Sequence, residues 1–276
     1  MKFVEMADST RYARMTTEEL RATFLLEGMF QPGTIECRYA DLDRAVVGSA
    51  VPTTAALKLE TDPELRAEYF LERRELGVLN VGGAGTVDVD GQVFTMEKLD
   101  CLYVGRGSKD VTFASADAAD PACFYLLSYL AHTEYPTAIA KFKDLDGLKL
   151  GAVETCNKRT IYKAIYKDGL QSCQLVMGFT LLDPGSNWNT MPPHTHRRRS
   201  EIYFYFDMDP AHRVVHLMGP PQQTRNLMVA DKQVVLSPGW SIHAGVGTKN
   251  YTFCWGMGGE NQAYDDMDAA TIAGLK

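Results

Sequence analysis

The sequence predicts an all-β protein made of two strand-rich halves, and three observations carry that prediction. Short runs of β-branched and aromatic residues recur through most of the chain, separated by turns bearing Gly, Asp or Pro. Helical patterning is confined to brief stretches near the start and at the tail. The length of 276 residues corresponds to two domains at about 150 residues each. A hydrophobic content of 45% with 23% charged residues is enough apolar material to bury a core, which excludes a disordered chain.

In order along the chain, Thr16-Thr17-Glu18-Glu19 has the capping-box pattern and leads into Leu20, Phe24 and Leu25, with Gly28 as a stop. A second helix is expected from Asp62-Pro63 through Leu65, Tyr69, Leu71 and Leu76, closing at Gly77. Strand texture then takes over. Val87-Asp88-Val89 and Gln92-Val93-Phe94 flank an Asp90-Gly91 hairpin turn, and Leu102–Val104 and Val111–Phe113 follow. Gly82-Gly83-Ala84-Gly85 is read as a backbone turn, because no helix follows to make it a phosphate loop. Residues 114–121 form a loop.

A break near 144–147 divides the chain into expected domains 1–147 and 148–276. Beyond it, strands are expected around 175–182, 202–206, 214–215, 227–229 and 233–236, with a short helix in the tail from Asp265 to Leu275.

The formal charge of −7 is spread along the chain, which argues against nucleic acid as a partner. Neither a signal-peptide core nor an apolar run long enough for a bilayer is present, so a soluble, cytoplasmic protein without membrane contact is expected. The six cysteines are scattered and contain no C-x-x-C pair; they read as buried small hydrophobes.

Only six histidines occur, and two of them stand at i and i+2 in Pro192-Pro193-His194-Thr195-His196. Extended backbone puts both imidazoles on one face, within reach of one ion. Glu201 has the wrong parity for that face, so it joins only if the chain bends through Arg197–Ser200; Tyr203 and Tyr205 then face inward with it. A lone H-x-H more often marks surface or hydrogen-bonded histidines beside a basic patch. The second motif, Ser237-Pro238-Gly239-Trp240-Ser241-Ile242-His243, changes the weighting, because it offers a third imidazole at another strand end. His194, His196, Glu201 and His243 together suit a borderline divalent cation. His212 and His216 are read as strand residues, and Asp265-Asp266-Met267-Asp268 as helix capping rather than a calcium loop.

These paired motifs resemble those of the cupin superfamily, though Gly239 directly follows Pro238 where that superfamily more often has Pro-x-Gly. Lys158–Lys163, Pro193–His196, Glu201–Phe206 and Met257-Gly258-Gly259-Glu260-Asn261-Gln262 resemble, more narrowly, the 5-keto-4-deoxyuronate isomerase family. The resemblance implies a bicupin. Two double-stranded β-helix barrels would carry a few short peripheral helices, with the first barrel degenerate and without metal ligands. It implies Zn²⁺ at His194, His196, Glu201 and His243, and a homohexamer acting in pectin breakdown. The implied reaction converts 5-dehydro-4-deoxy-D-glucuronate to 3-deoxy-D-glycero-2,5-hexodiulosonate.

Such a reaction needs a base, for which Glu201 is the obvious carboxylate, as base or as ligand only. It also needs cations for the substrate carboxylate, expected at Arg159 and Arg199. A metal oxygenase and a non-catalytic sugar-binding protein remain open on the same constellation.

Overall fold

The computed structural model describes residues 1–260 and 262–276 and is dominated by β-structure. The chain forms two compact units. One comprises Met1–Val4, Met29–Leu145 and Ala164–Val176; the other comprises Glu5–Gly28, Asp146–Lys163 and Met177–Lys276. Residues 5–28 thus fall in the second unit and residues 164–176 in the first, where the sequence reading has a single division at 147/148. The reason is sheet completion. Leu25 and Leu26 pair with Val235 and Val234 at the edge of the second unit's sheet, and Tyr12 is buried there with its hydroxyl donating to the Met218 carbonyl at 2.9 Å.

Each unit has a seven-stranded and a four-stranded sheet, the two-sheet arrangement of a double-stranded β-helix. In the first, strand Arg74–Asn80 lies between Phe124–Leu130 and Cys101–Val104. In the second, strand Arg199–Phe206 lies between Thr252–Gly259 and Gln233–Ser237. The smaller sheet of the second unit runs Trp188–Asn189, Ile242–Gly247, Val214–Gly219, Arg225–Val229. The first unit is filled by an apolar cluster that includes Leu76, Val78, Val87, Met96, Phe113 and Phe124.

Local chemistry explains several elements. Helix Thr17–Phe24 has the expected reciprocal cap: Glu19 N–H donates to Thr16 Oγ1 at 3.2 Å and Thr16 N–H donates to Glu19 Oε2 at 2.7 Å. It ends before Leu25, which is drawn into the sheet. The hairpin Gly85–Val89 to Gln92–Met96 turns through Asp90 (φ 53°) and Gly91 (φ 88°), both left-handed, as a type I′ turn requires.

Two helix expectations fail. Asp62-Pro63 starts only a 3₁₀ turn, Pro63–Leu65, which stops at left-handed Arg66 (φ 49°). Leu76 and Gly77 lie instead in strand Arg74–Asn80, paired on both sides. The tail forms strand Asp268–Ala269 and a 3₁₀ turn at Ile272–Gly274 in place of a helix. Among the described residues no helix is long and apolar enough to cross a membrane. Cys101, Cys123 and Cys254 are buried and Cys37 and Cys173 partly so, but Cys156 is exposed, so the buried reading does not extend to it.

One buried carboxylate organises the first unit. Glu75 is fully buried and accepts from Tyr103 Oη at 2.9 Å and from the backbone N–H groups of Cys173, Gln174 and Leu175 at 2.6, 2.7 and 2.8 Å. Burial, with the Glu75 charge next, pushes the Tyr103 phenol far up and keeps it a donor. Glu75→Ala removes the acceptor for three backbone donors at once. It should lower unfolding free energy by about 3 kcal/mol in urea titrations, and Glu75→Gln by roughly half that. A loss below about 0.5 kcal/mol in both would show that water satisfies this segment instead.

Candidate metal centre

Three stretches of backbone bring the site together. His194–Thr195 is a two-residue strand paired with Asp268–Ala269. The chain then turns at Arg197-Arg198 and enters strand Arg199–Phe206, so the bend that Glu201 requires is present. His243 stands on strand Ile242–Gly247, opposite Met218. The Pro238-Gly239 turn delivers that strand, closed by Ser241 N–H on the Pro238 carbonyl at 2.8 Å. Glycine is required there by close approach: a Cβ on Gly239 would sit 2.5 Å from the His196 carbonyl oxygen. The departure from the commoner Pro-x-Gly spacing thus has a local cause.

The four side chains converge. Nε2 of His194 lies 3.0 Å from Nε2 of both His196 and His243. Glu201 Oε2 lies 2.9 Å from His196 Nε2 and 3.0 Å from His243 Nε2. All four atoms fall within 4.8 Å of one another, with His196, Glu201 and His243 buried. Burial first, and then the neighbouring His243, push the His194 pKa down to about 3. Burial raises the Glu201 carboxyl, but His243 and His196 together outweigh it and hold the group well below the usual carboxylate range.

Hydrogen bonding fixes what these atoms offer. His196 Nδ1 lies 2.6 Å from the Asp266 carbonyl oxygen, which can only accept, so Nδ1 carries the proton and Nε2 presents a lone pair. In the neutral ring the 2.9 Å contact of that nitrogen with Glu201 Oε2 sets two acceptors face to face. Three imidazoles and a carboxylate crowded in this way fit a divalent cation of the zinc, iron or manganese type. A second unit of the chemistry lies alongside: a cavity of about 270 Å³ that His194, His196 and Glu201 line with Arg159, Thr180, Thr190, Tyr203 and Tyr264. Phe253, Trp255, Met257 and Met267 supply its apolar walls.

The two expected carboxylate-binding arginines separate. Arg159 lines the cavity, half-buried, with Nη1 donating to the Asn157 carbonyl at 2.9 Å. Arg199 does not line it. Its guanidinium, in a residue 2% exposed, donates to the carbonyls of Ala263, of Tyr264 (3.1 Å) and of Asp266 (3.4 Å). Of the other basic residues, Lys158 pairs with Asp183 at 3.2 Å, and Lys163 stands 4.1 Å from the Tyr264 ring centroid.

Asp266 and Asp268 do not cap a helix. They bind Arg198, with Nε 2.7 and 2.8 Å from the two Asp266 oxygens and Nη2 3.2 Å from Asp268 Oδ2. His216 lies on a strand as expected, buried, with Nδ1 2.7 Å from the Tyr205 hydroxyl. Sequence reading missed Thr180, Thr190, Tyr264 and Met267, which lack a motif; only the Asp-rich stretch beside Tyr264 hinted that the tail reaches the site. Asn261, part of the quoted 257–262 motif, lies outside the described residues.

The model of the KduI/IolB family matches residues 30–272. The 4-deoxy-L-threo-5-hexosulose-uronate ketol-isomerase of Shouchella clausii is 52% identical over 95% of both chains. The enzyme of the same name from Formosa agariphila is 52% identical over 94% of this chain and 93% of its own. Among solved structures, an IolB-like protein of Salmonella typhimurium LT2 matches 90% of this chain and 96% of its own, with a TM-score of 0.68 at 13% identity. Lactobacillus farciminis oxalate decarboxylase covers 83% of this chain and 79% of its own, with a TM-score of 0.56 at 12% identity. The last two establish the two-barrel fold alone; the family match and the identity along nearly the whole length establish that this chain belongs to the KduI/IolB family.

Proposed function

We propose that the protein is a zinc-dependent ketol-isomerase of uronate and pectin catabolism that converts 5-dehydro-4-deoxy-D-glucuronate to 3-deoxy-D-glycero-2,5-hexodiulosonate. The observation that carries this reading is the junction of two features on one cavity. A three-imidazole, one-carboxylate cluster adjoins a space of about 270 Å³, small enough for a single sugar acid, and Arg159 lines the same space. Relatives about half identical over nearly the full length carry the ketol-isomerase name.

The reaction moves hydrogen between adjacent carbons. The proton leaves the hydroxyl-bearing carbon and one returns to the former aldehyde carbon, so no oxidant and no net proton are consumed. A divalent cation held by His194, His196, Glu201 and His243 supplies Lewis-acid polarisation of the carbonyl and its neighbouring hydroxyl. Arg159 receives the substrate carboxylate through its planar fork, and the apolar walls exclude water from the reacting carbons.

Burial pushes the Tyr264 phenol up to about 12 and the Tyr203 phenol higher still, so both remain neutral and donate hydrogen bonds to sugar oxygens. Glu201 is the only carboxylate among the described residues lining the cavity, which makes it the proposed proton carrier as well as a ligand. Arg199 passes from substrate binding to holding the 263–266 backbone. The resemblance also carries a first barrel without metal ligands, a cytoplasmic location and hexameric assembly into this proposal.

Two experiments test it. Turnover of the keto-uronate in heavy water should place solvent deuterium on the terminal carbon of the product with no oxygen uptake, and chelation should abolish activity that added Zn²⁺ restores. Stoichiometric oxygen consumption would favour an oxygenase, and tight binding without turnover a sugar-binding protein; either overturns the isomerase. Arg159→Lys keeps the charge but loses the fork, and should lower kcat/KM about tenfold, near 1.4 kcal/mol, at unchanged zinc content. Unaltered kcat/KM would place the carboxylate elsewhere.

A further inference from the structure

The C-terminal segment 263–270 touches the proposed ligands in more ways than sheet completion needs. The Asp266 carbonyl accepts from His196 Nδ1, and thereby sets which ring nitrogen faces Glu201. Asp268 and Ala269 pair with Thr195 and His194, and Ala270 N–H donates to the Pro193 carbonyl at 2.9 Å. Tyr264 and Met267 form part of the cavity wall. One stretch of chain thus orients a ligand, carries the strand that holds another, and shapes the pocket.

Little apolar burial holds this stretch in place. Met267 is 42% exposed and Ile272 57%, and strand Asp268–Ala269 is only two residues long. Its anchorage is mainly polar: Tyr264 packs against Trp255 at 5.2 Å between ring centroids, buried Arg199 donates to the carbonyls of Ala263, Tyr264 and Asp266, and a clasp lies at the outer edge. Arg198 grips both carboxylate oxygens of Asp266, with an Nη2 contact of 2.5 Å, and reaches Asp268. The Arg198 and Asp266 side chains are 39% and 16% exposed, so the grip lies at the edge of the site rather than in the core. An isolated ion pair this exposed adds little to global stability. Its two-pronged geometry does constrain where the Asp266 backbone sits, to within hydrogen-bond tolerance.

We propose that the Arg198–Asp266–Asp268 clasp is a positioning device for the metal centre. It holds the Asp266 carbonyl on His196, and so sets cation affinity without contributing appreciably to the stability of the fold. The inference rests on the metal-centre reading above. Outer-layer groups that orient a ligating imidazole typically change cation affinity about 10- to 100-fold when removed.

Asp266→Asn and Arg198→Gln separate the two roles, because both keep the backbone carbonyl and remove only the grip on it. Zn²⁺ dissociation constants are read by competition with a chromophoric chelator, on wild-type protein first, and Tm is read on metal-free protein. The expected result is Zn²⁺ binding weakened at least tenfold in both variants, with metal-free Tm within about 2 °C of wild type, and Arg198→Lys falling between. Unchanged Zn²⁺ affinity in both variants overturns the proposal. So does weakened affinity that comes with a matching fall in metal-free Tm, which would mark ordinary structural support. A wild-type chain that binds no Zn²⁺ in the same titration overturns the metal-centre reading itself and is distinguished by that first measurement.

Discussion

Four candidate ligand atoms held within 4.8 Å of one another are the constraint on which the rest of the second unit depends. With the imidazoles neutral, their lone pairs and the carboxylate charge are costly to desolvate side by side. The surrounding structure holds them there regardless. Gly239 lets one turn press against the backbone of another, the Asp266 carbonyl pins the His196 ring, and Arg199 ties down the backbone that carries Asp266. An arrangement this strained electrostatically, yet this thoroughly supported, is what a resident cation would reward.

Among the described residues, the first unit shows a similar pair of sheets and no such cluster. Its strand Arg74–Asn80 occupies the place in the seven-stranded sheet that Arg199–Phe206 occupies in the second unit. Leu76 there pairs with Val104, as Glu201 pairs with Ser237. Leu76 belongs to the apolar cluster that fills that unit. Burying Leu, Val, Phe and Met stabilises that barrel by the ordinary hydrophobic route. The second unit gives up part of the same interior to a polar site and a cavity.

What was legible in the sequence follows from the range of the interactions involved. The capping box at Thr16 and Glu19, the Asp90-Gly91 turn and the bend before Glu201 are set by residues close in sequence, and each has the expected geometry. His194, His196, Glu201 and His243 were readable because strand parity and turn chemistry already limit where side chains point. The Asp62–Gly77 helix failed because its first turn stops at left-handed Arg66 and pairing on both edges drew Leu76 and Gly77 into a strand, although Leu65, Tyr69 and Leu76 stand at helical spacing. The surroundings of Arg199 were not legible because its partners, the carbonyls of residues 263, 264 and 266, lie more than sixty positions away. The tail was misread for the same reason: only folding places Asp266 and Asp268 against Arg198. Nor does any local pattern announce that residues 5–28 and 164–176 belong to the units they join.

The central claim is that His194, His196, Glu201 and His243 share one cation. X-ray absorption at the zinc edge of the metal-loaded protein tests it most directly, because the scattering counts and identifies the atoms around the ion. The account predicts imidazole multiple scattering from three histidines at about 2.0–2.1 Å, with carboxylate or water oxygen completing the shell. Sulfur scattering near 2.3 Å, or fewer than three imidazoles in fully loaded protein, would contradict it.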